Sequence, residues 1–336
     1  MYCSCRRRCY HHENSGCNLR ICKNRARSNS VIFCIRKDEP IMMKLAVSSY
    51  SFSQAIRAGI LTQEETVVKA KEMGFEGIEF TTLLPCENPT LEQQLEMAKR
   101  IRKKAEEIGI TVTNYAIGAS MYQETEEESA AEVARVKGQV QVAKELGCTT
   151  MRHDVCNKLG TKCPSFDLML PTMVKNIREV ADFAQELGIK TCSENHGFIS
   201  QDSDRMERLF NAVNHPNYGL LADMGNFSCV DENHAVAVSR VAPYTVYVHA
   251  KDMILYSGNG QNPGAGCGMS RGGNWYRCTI IGQGSVPVKQ CLRILKRAGY
   301  DGFVSIEFEG CEECFSGIEK GKANLERYLK EIELDF

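Results

Sequence analysis

From residue 43 onward the chain repeats one pattern. A helical stretch ends at a glycine, and two to four residues later an apolar run begins: KEMGFEGIEF, EEIGITVTNY, KELGCTTMRH, QELGIKTCSE and RAGYDGFVSIEF. Gly74, Gly109, Gly147, Gly188 and Gly299 stand where a left-handed helix C-cap belongs. The apolar runs predict strands near 44–50, 76–81, 110–117, 148–153, 189–195, 218–223, 245–250 and 303–308. Helix starts are marked as well. Thr62 with Glu65 and Thr90 with Gln93 fit capping boxes, and Asp231 stands ready to cap the helix carrying Ala235 to Val241. Strands alternating with helices pair in parallel through right-handed crossovers. Eight such strands in about 290 residues is the count of a closed (β/α)8 TIM barrel. The open doubly wound alternative places a glycine-rich phosphate loop after its first strand; here that position reads SSYSFSQAI.

Barrel enzymes carry their chemistry where the strands end, on the C-terminal face. The fifth apolar run, IKTCSENHG, stops on Glu194 with His196 just beyond. The sixth, YGLLADMGN, stops on Asp223. The seventh, TVYVHAKD, stops on His249, followed by Lys251 and Asp252, and the eighth, FVSIEFEG, stops on Glu307. These strands are neighbours around a barrel, so Glu194, Asp223, His249 and Glu307 converge. Three carboxylates and an imidazole form a hard, oxygen-rich ligand set for one divalent metal, with Mn²⁺ favoured and Mg²⁺ or Co²⁺ as alternatives. Without a cation the carboxylates repel one another.

Composition narrows the class further. Lys plus Arg total 41 against 42 Asp plus Glu, which gives no basic face for nucleic acid or an anionic membrane. No run approaches the roughly 18 apolar residues of a membrane span. Of 17 cysteines, six lie in the first 41 residues and the rest are scattered, which reads as reduced thiols in a cytoplasmic protein. Cys311 and Cys314 form a CEEC pair without the second pair a structural zinc site needs. Residues 1–42 are basic and cysteine-rich without a helix or strand period, and are expected to be a disordered leader ahead of a barrel spanning 43–336.

The opening SSYSF, GFEGIEF, SENHG, LADMGN, VHAKD, GQGSVPV and GYDGFVSIEFEG together resemble the xylose isomerase-like superfamily, the sugar phosphate isomerase/epimerase type. The resemblance covers nearly all of residues 43–333. It implies a Glu-Asp-His-Glu metal site matching Glu194, Asp223, His249 and Glu307, with Glu194 and Glu307 also flanking the substrate as acid and base. Two positions depart from the ketose 3-epimerases of the group. Asn226 stands where they carry His, and Leu255 where they carry Arg.

The function this implies is removal of a proton beside the carbonyl of a keto-sugar, giving an isomerase or epimerase. The alternative is a lyase that expels a group from the same enediolate, as in the α subunits of C-glycoside deglycosidases, which cleave keto-glycosides with a small second subunit. His153 and His196, beside strand ends four and five, are candidate additional acid/base residues. Glu79, Lys251 and the sole tryptophan, Trp275, are candidate substrate-binding residues, with Asp252 expected to orient Lys251 or a ligand. The glycine-rich segment from Gly258 to Thr279 is expected to cover the site or meet a partner, in a homo-oligomer or with the small subunit. Two further classes carry less weight: a three-zinc endonuclease wants more than seven histidines and a basic face, and a bare binding scaffold has no reason to bury four ligand-type side chains.

Overall fold

The computed structural model describes residues 43–334; residues 1–42, expected to be a disordered leader, lie outside the described residues. Strands β1 (Lys44–Ser48), β2 (Gly77–Thr81), β3 (Thr111–Ile117), β4 (Thr150–His153), β5 (Lys190–Glu194), β6 (Tyr218–Asp223) and β7 (Thr245–Ala250) follow the apolar runs. β8 (Asp252–Tyr256) follows directly, and the glycine-rich segment from Gly258 to Thr279, expected as loop, holds β9 (Gly268–Met269) and β10 (Trp275–Thr279). β11 (Phe303–Ile306) then closes a parallel barrel in the order β1-β11-β7-β6-β5-β4-β3-β2, while β8, β10 and β9 make a separate three-stranded antiparallel sheet.

Helices α1 (Ser53–Arg57), α2 (Thr66–Glu72), α3 (Leu91–Ile108), α4 (Glu126–Leu146), α5 (Phe166–Glu186), α6 (Ser203–Val213), α7 (His234–Val241) and α8 (Val288–Arg297) lie in the crossovers, and α9 (Cys314–Glu333) follows the last strand. The predicted caps bear on where strands start. Gly109 after α3 and Gly147 after α4 take φ of 67° and 81°, so each helix turns directly into its strand. Thr90 and Gln93 form the expected capping box at α3. Thr62 and Glu65 make the same reciprocal bonds one turn ahead of α2. Asp231 does not cap α7. Asn233 does, accepting from the Val236 N–H at 3.1 Å. Asp231, with φ of 58°, instead receives Ser270 Oγ, the Gly272 N–H and Asn274 Nδ2, pinning the small sheet to the barrel.

Side-chain alternation places the site. Along a strand every second side chain points to the same face, so Cys192 shares the inward face of β5 with Glu194, Leu221 that of β6 with Asp223, and Tyr247 that of β7 with His249. Cys192, Leu221 and Tyr247 pack together as a buried plug, and the polar residue two positions on lies one layer nearer the mouth. The main apolar core lies between the barrel's outer face and the helices. Among the described residues no helix is long and apolar enough to cross a membrane.

Candidate metal centre and the barrel-mouth cavity

Asp223 and His249 are register partners on adjacent strands. Glu194 ends β5. Glu307 follows β11, its N–H still donating to the Ala250 carbonyl at 3.0 Å, which holds it in line with β7. One ligand-type atom from each of these four lies within 4.8 Å of all the others. His249 Nδ1 sits 3.6 Å from Glu194 Oε1, 3.7 Å from Asp223 Oδ2 and 3.6 Å from Glu307 Oε2, too far for ordinary hydrogen bonds.

Two atoms test whether this cluster fits a cation. Asp223 Oδ1 accepts the N–H groups of Gly225 and Asn226 at 2.7 and 2.9 Å, yet Asp223 Oδ2 is buried without a hydrogen bond. The imidazole of His249 gives its Nε2–H to both oxygens of Glu79 at 2.9 Å. That leaves Nδ1 as the lone-pair nitrogen, and it too is buried without a hydrogen bond. Buried polar atoms rarely stay unpaired. Two of them facing each other between two carboxylates fit a divalent ion, and the oxygen-rich donor set suits a hard one. Glu79, fully buried and also held by Asn114 Nδ2 at 3.1 Å, does not reach the cavity as a substrate contact. It orients the histidine, as carboxylates behind metal-binding imidazoles do.

The surrounding charges are arranged in pairs. Arg152 puts Nε 2.5 Å from Glu194 Oε2 and Nη2 2.7 Å from Asp154. Asn226, the residue in place of a histidine, donates to Glu194 Oε1 at 2.9 Å and accepts from Lys251 Nζ at 3.2 Å. Lys251 Nζ also lies 2.6 Å from Glu307, 3.3 Å from Asp223 and 2.9 Å from Glu309. Burial pushes the Glu194 carboxyl up, but Arg152 and His249 outweigh it and hold it at about 2. Glu307 is likewise held well below the usual range against burial, by Lys251 and His249. Burial disfavours a charged imidazole at His249, yet Glu79, Glu307 and Glu194 raise its proton affinity well above normal. The same negative field favours a cation.

A cavity of about 1220 Å³ opens above this cluster, and Arg152, Glu194, His196, Lys251, Glu307 and Glu309 line its inner end. His196 sits on its wall with Nδ1 2.9 Å from Asp154. His153 does not reach it. With Arg152 facing in, alternation turns His153 outward, where it is fully buried, stacks on Tyr218 and bonds the Asp154 carbonyl through Nδ1. Burial lowers its pKa to about 4. Trp275 also lies elsewhere, in a separate depression with Tyr256, Asp231 and Asn274. Asp252 orients neither Lys251 nor a ligand, because its carboxylate accepts the N–H groups of Met253, Gly282, Gly284 and Val286 at 2.8 to 3.0 Å. Sequence reading overlooked Arg152, Asp154 and Glu309. Their signal was present, as charged residues inside or just after apolar runs in TMRHD and IEFEG.

A family model described as xylose isomerase-like TIM barrel matches residues 67–332. The chain belongs to that family. Solved structures agree on the fold across nearly the whole barrel. An L-ribulose 3-epimerase is 15% identical, covering 88% of this chain and 97% of its own, with a TM-score of 0.65. A xylose isomerase-like TIM barrel protein from Mycobacterium smegmatis, in complex with magnesium, is 16% identical over 87% and 98%, with a TM-score of 0.62. The 3-keto-D-glucoside 4-epimerase of E. coli is 16% identical over 85% and 99%, with a TM-score of 0.60. No curated protein matches the sequence. Of the two positions expected to depart from the ketose 3-epimerases, Asn226 bridges Glu194 to Lys251, whereas Leu255 is exposed on the small sheet.

Proposed function

We propose that this protein is a divalent-metal-dependent enzyme that moves a proton next to the carbonyl of a keto-sugar, in the manner of an isomerase or epimerase. The observation that carries the reading is the convergence of Asp223 Oδ2 and His249 Nδ1, both buried and unbonded, between Glu194 and Glu307 at the floor of an open cavity. The similarity to sugar epimerases and to a magnesium complex supports the same class. Glu194, Asp223, His249 and Glu307 would hold the ion, for which Mn²⁺ is the first candidate. A bound ion there supplies Lewis-acid stabilisation of the negative charge that builds on a substrate oxygen as the neighbouring C–H proton leaves.

The chain's own residues handle the proton. Glu307 is the more open glutamate, 12% exposed against 2% for Glu194, and is the base that takes the proton from carbon. The electron pair moves into the C–C bond and then onto the carbonyl oxygen. Glu194, fixed by Arg152 and Asn226, is a carboxylate at rest; it takes up a proton from solvent in the open cavity before delivering it to the other face, while Glu307 passes the abstracted proton to solvent. Lys251 faces the reacting oxygens from between Glu307 and Glu309. Incubation with Mn²⁺ and a panel of ketoses and 3-keto-glucosides in D₂O should place deuterium on the carbon beside the carbonyl. Absence of exchange with every member of the panel would remove this reading.

One observation favours a second outcome, β-elimination from the same carbanion. His196, oriented by Asp154 on the cavity wall, is a third proton-handling group beside the two glutamates, placed to protonate a leaving group. Release of the free leaving group from a keto-glycoside, rather than exchange alone, distinguishes it, and co-purification of a small subunit from the native host would add weight to it.

A further inference from the structure

The barrel-mouth cavity has two unlike ends. Its inner end carries the acids, Lys251, Arg152 and His196. Its outer arm, over the ends of β1 and β2, is walled by Tyr50, Ile56, Leu61, Leu84, Pro85 and Met97. Polar residues also line that arm, but apart from Thr82 and Arg57 their side chains are already engaged. Gln63 donates to the Thr81 and Thr82 carbonyls and accepts from the Leu84 N–H. Ser49 bonds the Thr81 N–H and hydroxyl, Ser53 bonds the Tyr50 carbonyl, and Thr62 and Glu65 bond each other. Glu64 is held by Arg100. Arg57 adds a charge only at the exposed rim. A sugar ring placed in this arm finds few unpaired donors or acceptors, whereas an apolar ring finds a wall of carbon.

Size points the same way. About 1220 Å³ exceeds the roughly 300–1,000 Å³ typical of a small-molecule pocket. Tyr50 and Leu84 remain 43% and 59% exposed on the arm, although they adjoin a buried polar cluster. An apolar wall joined to a few convergent polar groups is the usual make-up of a small-molecule pocket.

We infer that the substrate has two parts: a polyhydroxylated carbonyl portion at the inner end and a ring-sized apolar substituent in the Tyr50–Leu84 arm. This rests on the keto-sugar reading of the inner end and adds to it a discrimination against bare monosaccharides.

The test compares phenyl β-D-glucopyranoside with methyl β-D-glucopyranoside by calorimetric titration of the Mn²⁺-loaded protein. Neither probe has to react, so the result is independent of catalysis. The phenyl glycoside should bind at least tenfold more tightly. In Leu84→Glu and Leu61→Ser that advantage should fall to threefold or less, with Mn²⁺ affinity unchanged. Equal affinity for the two glycosides, or no binding of either at millimolar concentration, overturns the inference. So does a phenyl advantage that survives both substitutions. If Leu84→Glu converts a dimer to a monomer in sedimentation without changing the affinity ratio, the arm belongs to a second copy of the chain and the inference fails. A phenyl preference combined with no deuterium exchange would instead sink only the enolisation reading.

Discussion

The two sides of the barrel mouth are built from similar residue types and do opposite things. On the side of β5, β6, β7 and β11, polar side chains keep unspent capacity: Asp223 Oδ2 and His249 Nδ1 face each other without a hydrogen bond, Lys251 alone offering Asp223 Oδ2 a charge at 3.3 Å. On the side of β1 and β2, Ser49, Thr62, Gln63 and Glu65 use their capacity on one another and on nearby backbone. Counting polar residues would rank the two sides alike. Only unmet bonding capacity separates a candidate reaction centre from a well-tied loop. Asp252 makes the same point against Asp223. Both are buried aspartates at strand ends, but Asp252 has four backbone donors to itself and no atom left for a ligand.

The most severe way to break this contrast is Glu307→Gln. The substitution keeps shape and removes the proposed base, so deuterium exchange should fall at least 10³-fold, within the ~10²–10⁴ range for acid–base groups; a loss below tenfold would strip Glu307 of its role. Arg152→Met comes next. It strands Glu194 and Asp154 as buried or half-buried carboxylates, and should cost about 3–5 kcal/mol in denaturant unfolding. A loss under 1 kcal/mol would mean the pairing is not structural.

A histidine behind the site, His153, sharpens the contrast through pH. His153 is buried neutral, with its pKa lowered from 6.5 to about 4 by burial. The unfolded chain binds the extra proton first, so this contribution to stability is complete above pH 6.5. It drains away as pH falls towards 4, by roughly 3 kcal/mol in all. His153→Gln should flatten that part of the stability–pH curve, and an unchanged slope would refute the assignment. Glu79→Gln should weaken Mn²⁺ binding about 10–100-fold by releasing the histidine's orientation; titration calorimetry giving wild-type affinity would return Glu79 to a purely packing role. The smallest effect belongs to the satisfied side. Gln63→Ala should lower stability by about 1–2 kcal/mol through its lost loop bonds and leave Mn²⁺ affinity within twofold.

Much of this was legible before any coordinates. The glycine caps and apolar runs located all eight barrel strands within about two residues, because both signals are local. Glu194, Asp223, His249 and Glu307 were legible because they stop those runs, and a barrel brings such stops together. What escaped depends on side-chain direction. Arg152 and His153 are adjacent, and only the facing of β4 decides that the arginine enters the mouth and the histidine leaves it. Glu79 could be placed at a strand end, but not its bond to His249 across 170 positions. The small sheet was missed because glycine-rich spacing hides short strands, and Trp275 followed it away from the cavity.

The hydrogen bonds of β11 to β1 close the barrel, and the same stretch of chain delivers Glu307. Ring closure and completion of the ligand set are therefore a single event. In chain order Glu194, Asp223 and His249 precede the last strand, and Glu307 comes with it. A cation captured early would meet an open, loosely held site. If the proposed site holds an ion, its firm retention would report that the whole ring has formed.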